Sequence, residues 1–259
     1  MEDSRFLQCL AADYGDLRDA ASAAELTATV PSCPGWTVSD LVRHVAEVYR
    51  HKVTLMRTGE EPEEWPPPSL AAEAPLAALG RAYGALRAEF RTRGPGQPAP
   101  TWYDPDQTVG FWIRRMAQET VIHRLDAELG ADAPIAPIPD DLAIDGIDEL
   151  LKAFVAYDAK KYPDDYTEAL ANKPARSYNI TTTDVEWLVG TAPNSFTVGG
   201  GPGMTPATHT NTDTTITGTP TAVLRWAWSR ETPGEPSAVT IEGHADLTEF
   251  RRCITTATQ

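Results

Sequence analysis

Proline and glycine divide the first half of this sequence into four lengths that suit the helices of a bundle. They cluster in Val30–Trp36, in Gly59–Pro68, in Gly94–Asp106 and again in Ala131–Pro139. Such residues interrupt helices and mark turns. Between the clusters, apolar residues recur at three- and four-residue spacing, the period of one buried helical face. The first stretch, residues 3 to about 28, carries Phe6, Leu7, Leu10, Tyr14 and Leu17; the second, about Val38 to Arg57, carries Leu41, Val45, Val48 and Leu55. Ser69 starts a third helix from Leu70 to about Arg93, with Leu76, Leu79, Tyr83, Leu86 and Phe90 as its stripe. The fourth runs from about Thr108 to Gly130, where the glycine is expected to stop it. Thr37 is placed to cap the second helix, with Asp40 answering from the third position. Four helices joined by loops of this length predict a four-helix bundle.

The pattern changes after Pro139. Residues 140 to about 158 read as one more helix, assigned with the bundle to a first domain of residues 1–158. Beyond Pro174 come short β-rich runs at Ser177–Thr183, Val185–Thr191, Ser195–Val198 and Thr210–Gly218. A helix over Thr219–Trp228, a strand over Ala238–Gly243 and a helix over Ala245–Cys253 complete the chain. The expectation is an α+β protein: a bundle, then a smaller α+β domain over 159–259 with an antiparallel sheet.

Composition narrows the partners. The chain has 259 residues and a formal net charge of −15, from 37 acidic and 22 basic residues. Nucleic acid and anionic membrane both call for basic patches, so neither is expected. No apolar run approaches the roughly 20 residues of a membrane span, and Met-Glu-Asp-Ser-Arg-Phe lacks the pattern of a signal peptide. Cys9, Cys33 and Cys253 are odd in number and far apart, which suits free thiols in a reducing cytoplasm. A cytoplasmic protein is the expectation.

Chemistry concentrates in Gln118-Glu119-Thr120-Val121-Ile122-His123-Arg124-Leu125-Asp126. Residues four apart sit one above the other on a helix, so Glu119 and His123 can grip one ion together. Trp112 and Met116 lie below them on the same stripe, and Asp126 just above. His44, from the second helix, is the natural third ligand; His51 lies a further seven residues along, roughly 10 Å on the axis, so one small ion cannot take both. Two imidazoles and one carboxylate suit a catalytic zinc with an open position, and suit iron or nickel as well. Asp126 and Gln118 could hold a histidine ring by its other nitrogen. A glutamate and a histidine at this spacing are also common on helix surfaces, so on spacing alone an ion pair stays an open reading.

Pro31-Ser32-Cys33-Pro34-Gly35-Trp36-Thr37-Val38, with Leu41, Val42 and His44 following, closely resembles the start of the mycothiol-dependent maleylpyruvate isomerase family. The later Glu119-x-x-x-His123-Arg124-x-Asp126 resembles that family's second motif. The resemblance is good over residues 5 to 130. It implies a DinB-like bundle in which His44, Glu119 and His123 bind a divalent metal, zinc being the first choice, with Asp126 and Gln118 as support. It also implies mycothiol as thiol cosubstrate and a small-molecule electrophile as substrate, with isomerase or S-transferase chemistry. A non-catalytic metal-binding or regulatory protein on the same bundle is the alternative. Gly218–Arg230 and Ile241–Gly243 resemble the end of a sterol-carrier-like module, although His244 stands where an acid is expected and Thr205–Thr217 is atypical. Arg230 could meet a substrate carboxylate as a catalytic residue. Trp36 reads as a packing hinge, with a wall of the substrate site as the lesser reading, Cys33 as structural, and Gly199–Gly203 as a flexible turn without the residues of a phosphate loop. His209 and His244 have no ligand-like neighbours in sequence.

Overall fold

A computed structural model describes residues 1–67, 72–204, 212–244 and 246–258. The chain divides into two compact units, Met1–Ala136 and Pro137–Gln259. The expected helix at 140–158 therefore belongs with the second unit and not, as the 1–158 boundary had it, with the bundle. Ser69, His209 and Ala245 lie outside the described residues, as do parts of Leu70–Arg93 and Thr205–Thr217.

The first unit contains four long helices: α1 (Asp3–Ala23), α2 (Val38–Thr58), α3 (Pro75–Thr92) and α4 (Val109–Gly130). α1 packs on α4, α2 packs on α3, and α2 also meets α4. Leu10, Leu17, Val45, Tyr49, Leu79, Leu86, Trp112 and Met116 form the core. α1 ends at Ala23, short of residue 28. The residues after it serve α2 instead, whose first N–H groups have no partner within their own helix. Val38 N–H donates to the carbonyl of Ala28 and Ser39 N–H to that of Leu26.

α4 is covered on almost every side, although it carries Arg115, His123, Arg124, Asp126 and Glu128, all buried. Charges so placed need partners. Arg124 pairs with Asp13 Oδ1 at 2.9 Å and Glu128 Oε1 at 2.8 Å, and donates to the carbonyl of Ala136 at 3.0 Å. α4 ends at Gly130, as expected, and the left-handed residue beyond it is Asp132, at φ 52°. Gly130 also sits in a tight place, since a Cβ there would lie 3.1 Å from Val38 Cγ2 and 3.3 Å from Val30 Cγ2.

In the second unit α5 (Asp140–Asp148) continues through a π-helical stretch, Glu149–Ala156, into α6 (Tyr157–Lys161); the short α7 (Thr167–Leu170) follows. The strands are β1 (Arg176–Thr181), β2 (Glu186–Ala192), β3 (Ser195–Gly200), β4 (Thr214–Thr217) and β5 (Thr240–Gly243). α8 (Pro220–Ala227) and α9 (Thr248–Ala257) accompany them. The sheet order is β3-β2-β1-β4-β5. Hairpins make β1–β2 and β2–β3 antiparallel, but β4 pairs with β1 in parallel, with Ile180 opposite Ile216. The sheet is thus antiparallel, as expected, at every pairing but β1–β4, which makes it mixed. The chain leaves β3 at one edge and re-enters beyond β1, and a parallel neighbour requires such a crossover. Tyr178, Ile180, Trp187, Val189 and Ile216 are buried, with Tyr178, Phe196 and Trp226 ringing Phe250 of α9. Among the described residues no helix is long and apolar enough to cross a membrane.

Candidate metal centre

The capping box fixes where α2 begins. Thr37 Oγ1 accepts from Asp40 N–H at 3.2 Å, and Asp40 Oδ2 accepts from Thr37 N–H at 2.9 Å. With that start fixed, His44 falls about two turns into the helix. Thr108 caps α4, its Oγ1 accepting from Phe111 N–H at 3.3 Å. Because α2 packs on α4, His44 meets Glu119 and His123, which stand one turn apart.

One oxygen of Glu119 is the meeting point. Oε1 lies 3.2 Å from His123 Nε2 and 3.4 Å from His44 Nε2. A donor atom from each of the three residues lies within 4.8 Å of the other two. The histidine rings stand edge to face, centroids 4.9 Å apart. Glu119 Oε2 is engaged elsewhere, accepting from Arg115 Nη2 at 2.7 Å. This bond orients the carboxylate so that Oε1 faces the imidazoles.

Behind His123, fully buried Asp126 holds Nδ1 at 2.9 Å through Oδ2. Its other oxygen accepts from Ser32 Oγ at 2.5 Å. An ionised carboxylate only accepts, so Nδ1 donates to Asp126 and, without a metal, Nε2 donates to Glu119. Burial alone would pull the His123 pKa down, but the Glu119 and Asp126 carboxylates outweigh it and hold it up to about 9. Burial would likewise raise Glu119; His123, His44 and Arg115 together hold it well below the usual carboxylate range. A compact positive–negative cluster of this kind can hold its own protons, or exchange them for one cation.

Trp36 joins the site through the turn that precedes α2. Cys33 N–H donates to Val30, Trp36 N–H to Cys33 and Val30 N–H to Trp36, with Gly35 at φ 84° where only glycine is unstrained. The indole ends 4.9 Å from the His44 ring and 6.4 Å from that of His123. Trp36, expected mainly as a packing hinge, also forms a wall of the site.

Gln118 is buried, but it is turned about 100° around α4 from Glu119. His51 Nε2 pairs with Glu61 Oε2 at 2.8 Å, and its ring meets Trp65 edge-on. Arg230, in the second unit, donates to the carbonyl of Trp228 at 2.7 Å. His244 is exposed, and its N–H donates to the carbonyl of Asp213. Gly200, Gly201 and Gly203 have positive φ, and Gly200 ends β3. Cys9 and Cys253 are buried, and Cys33 is half-buried in its turn. Sequence reasoning missed Ser32 and Arg115. Arg115 was within reach of it, being four residues before Glu119, whereas Ser32 is 94 residues from Asp126.

Comparison with known proteins agrees across both units. Residues 7–128 match the family model of the mycothiol maleylpyruvate isomerase N-terminal domain, and residues 141–250 match that of the corresponding C-terminal domain. No curated protein matches the chain by sequence. Among solved structures, the crystal structure of the mycothiol-dependent maleylpyruvate isomerase is similar, with a TM-score of 0.60, 16% identity and 95% of each chain covered. A histidine-to-alanine mutant of that enzyme gives a TM-score of 0.61, again at 16% identity and 95% of each chain. At such identity the likeness is one of fold.

Proposed function

Because the chain belongs to the mycothiol maleylpyruvate isomerase family across both of its units, we propose that it is a metal-dependent, mycothiol-using enzyme acting on an electrophilic small molecule. The observation that carries this reading is the convergence of His44 Nε2, Glu119 Oε1 and His123 Nε2 on one point. The donors fit a borderline divalent cation such as zinc: two imidazoles, one carboxylate, and outer partners that fix two of them. When bound, the cation would supply a Lewis-acid position that favours the thiolate form of the cosubstrate at neutral pH.

The protein's own side chains do the positioning. Ser32 and Asp126 keep the proton of His123 on Nδ1, leaving Nε2 free to ligate. Arg115 holds one oxygen of Glu119 and aims the other. Trp36 lies against both histidine rings and shields that side from water. An unsaturated substrate held here would receive the thiolate sulfur at one alkene carbon, the electron pair moving onto a conjugated carbonyl. Rotation about the resulting single bond, then loss of the thiolate with return of the electron pair, exchanges cis for trans. An enzyme that instead protonates and releases the adduct is an S-transferase.

The test uses protein purified without chelator, mycothiol and a cis-unsaturated oxo acid such as maleylpyruvate. Turnover is expected to need the thiol and to be lost in His44→Ala. Isomerase chemistry leaves the thiol concentration unchanged, and transferase chemistry consumes it. A protein that binds metal but gives no thiol-dependent reaction with any electrophile would be the non-catalytic alternative.

A further inference from the structure

Beyond the triad, α2 carries a second charged side chain that the chemistry above leaves unused. Lys52 is eight residues past His44, about 12 Å along the axis, and its stem leans back toward the start of the helix. Its ammonium lies 4.8 Å from the centre of the Trp112 ring and 3.1 Å from His51 Nδ1. Trp112 is fully buried and pinned, its Nε1 donating to the carbonyl of Pro100 at 2.9 Å. His51 is fixed as well, by Glu61 on Nε2 and by the edge of Trp65. With Nε2–H given to Glu61, Nδ1 is left as acceptor for Lys52.

The ammonium is therefore held in place without being neutralised. Among the described residues no carboxylate lies within ion-pair distance of Lys52, and one ammonium proton goes to His51 while another faces the indole. A half-buried cation without an anion is costly. Burial pulls its pKa down, with Arg115 adding to the effect; Glu61 and Glu119 oppose it, near enough to be felt but not to pair. A lysine whose only role was to cover Trp112 could leave its charge in water.

We propose that Lys52, seated on Trp112 and braced by His51, is the residue that recognises the substrate's carboxylate, and so selects electrophiles that bear one. The inference deepens the function proposed above and rests on it for the identity of the reacting end.

The experiment measures fumarate binding by calorimetry, on zinc-loaded and on zinc-free protein. Lys52→Met is expected to weaken fumarate at least 10-fold in both forms, while Lys52→Arg stays within a few-fold of wild type. Zinc stoichiometry and the urea midpoint of Lys52→Met should match wild type; Lys52→Gln serves if the methionine variant does not fold. Exposed Lys160→Met is the control and should change nothing. Equal affinity in wild type and Lys52→Met, or no binding by either, overturns the proposal. If wild type takes up no zinc, the metal reading fails instead, and the zinc-free comparison still decides the role of Lys52.

Discussion

Replacing Asp126 by asparagine tests how far the ligand set depends on what stands behind it. The carboxylate is fully buried, and its partners include His123 Nδ1 at 2.9 Å and Ser32 Oγ at 2.5 Å. Asparagine keeps the shape but loses the charge. If its oxygen faces His123, its amide group faces Ser32, which can turn its hydroxyl to accept. If the amide faces His123 instead, Nδ1 must accept and the ring presents a protonated Nε2 to the ion. The first arrangement keeps the ligand but weakens its basicity; the second removes it. Changes of this kind cost about 10–100-fold in metal affinity, roughly 1.4–2.7 kcal/mol. The assay is competition for Zn²⁺ against a chromophoric chelator at pH 7.5. Asp126→Asn should bind one ion at least 10-fold more weakly than wild type, and Ser32→Ala should fall between the two. Equal affinity in all three would refute the argument, because His123 would then be oriented by something other than Asp126.

A second prediction concerns pH and the other buried cluster of α4. Asp13 is raised from 3.8 to about 6: burial raises it, Arg124 opposes, and Asp16 and Glu128 add to the rise. A carboxyl raised on folding contributes most when protonated, fully below its unfolded value and progressively less as pH rises through 6. Wild type should therefore gain on the order of 1 kcal/mol relative to Asp13→Asn when urea unfolding is moved from pH 7 to pH 5. A difference that stays constant or changes sign contradicts the assignment. A third prediction uses Trp36, whose indole lies against both histidine rings. Zinc should change tryptophan emission in wild type and much less in Trp36→Phe, although both take up the same amount of metal; an unchanged response in the variant would place the reporter elsewhere.

Local chemistry made much of the bundle legible. The Thr37–Asp40 capping box and the stripes of α2 and α3 depend on spacing within one helix. Short-range patterns are what a sequence displays directly. Gly130 likewise marks the end of α4. Signals with two meanings misled. The helix at 140–158 shows an apolar stripe without showing what will cover it, and it packs against α8 in the second unit. The parallel pairing of β1 with β4 was hidden for the same reason, since both strands read alike whichever neighbour they take. At the site, Glu119 and His123 could be found one turn apart, while Ser32, Trp36 and Lys52 owe their places to contacts made between elements.

The central claim is that His44, Glu119 and His123 hold one divalent ion between α2 and α4. Titrating metal-free protein with Zn²⁺ and counting bound ions by elemental analysis tests it most directly. The account predicts one ion per chain in wild type and none retained through gel filtration by His44→Ala or His123→Ala, with helical circular dichroism preserved. Unchanged stoichiometry in both variants would contradict it.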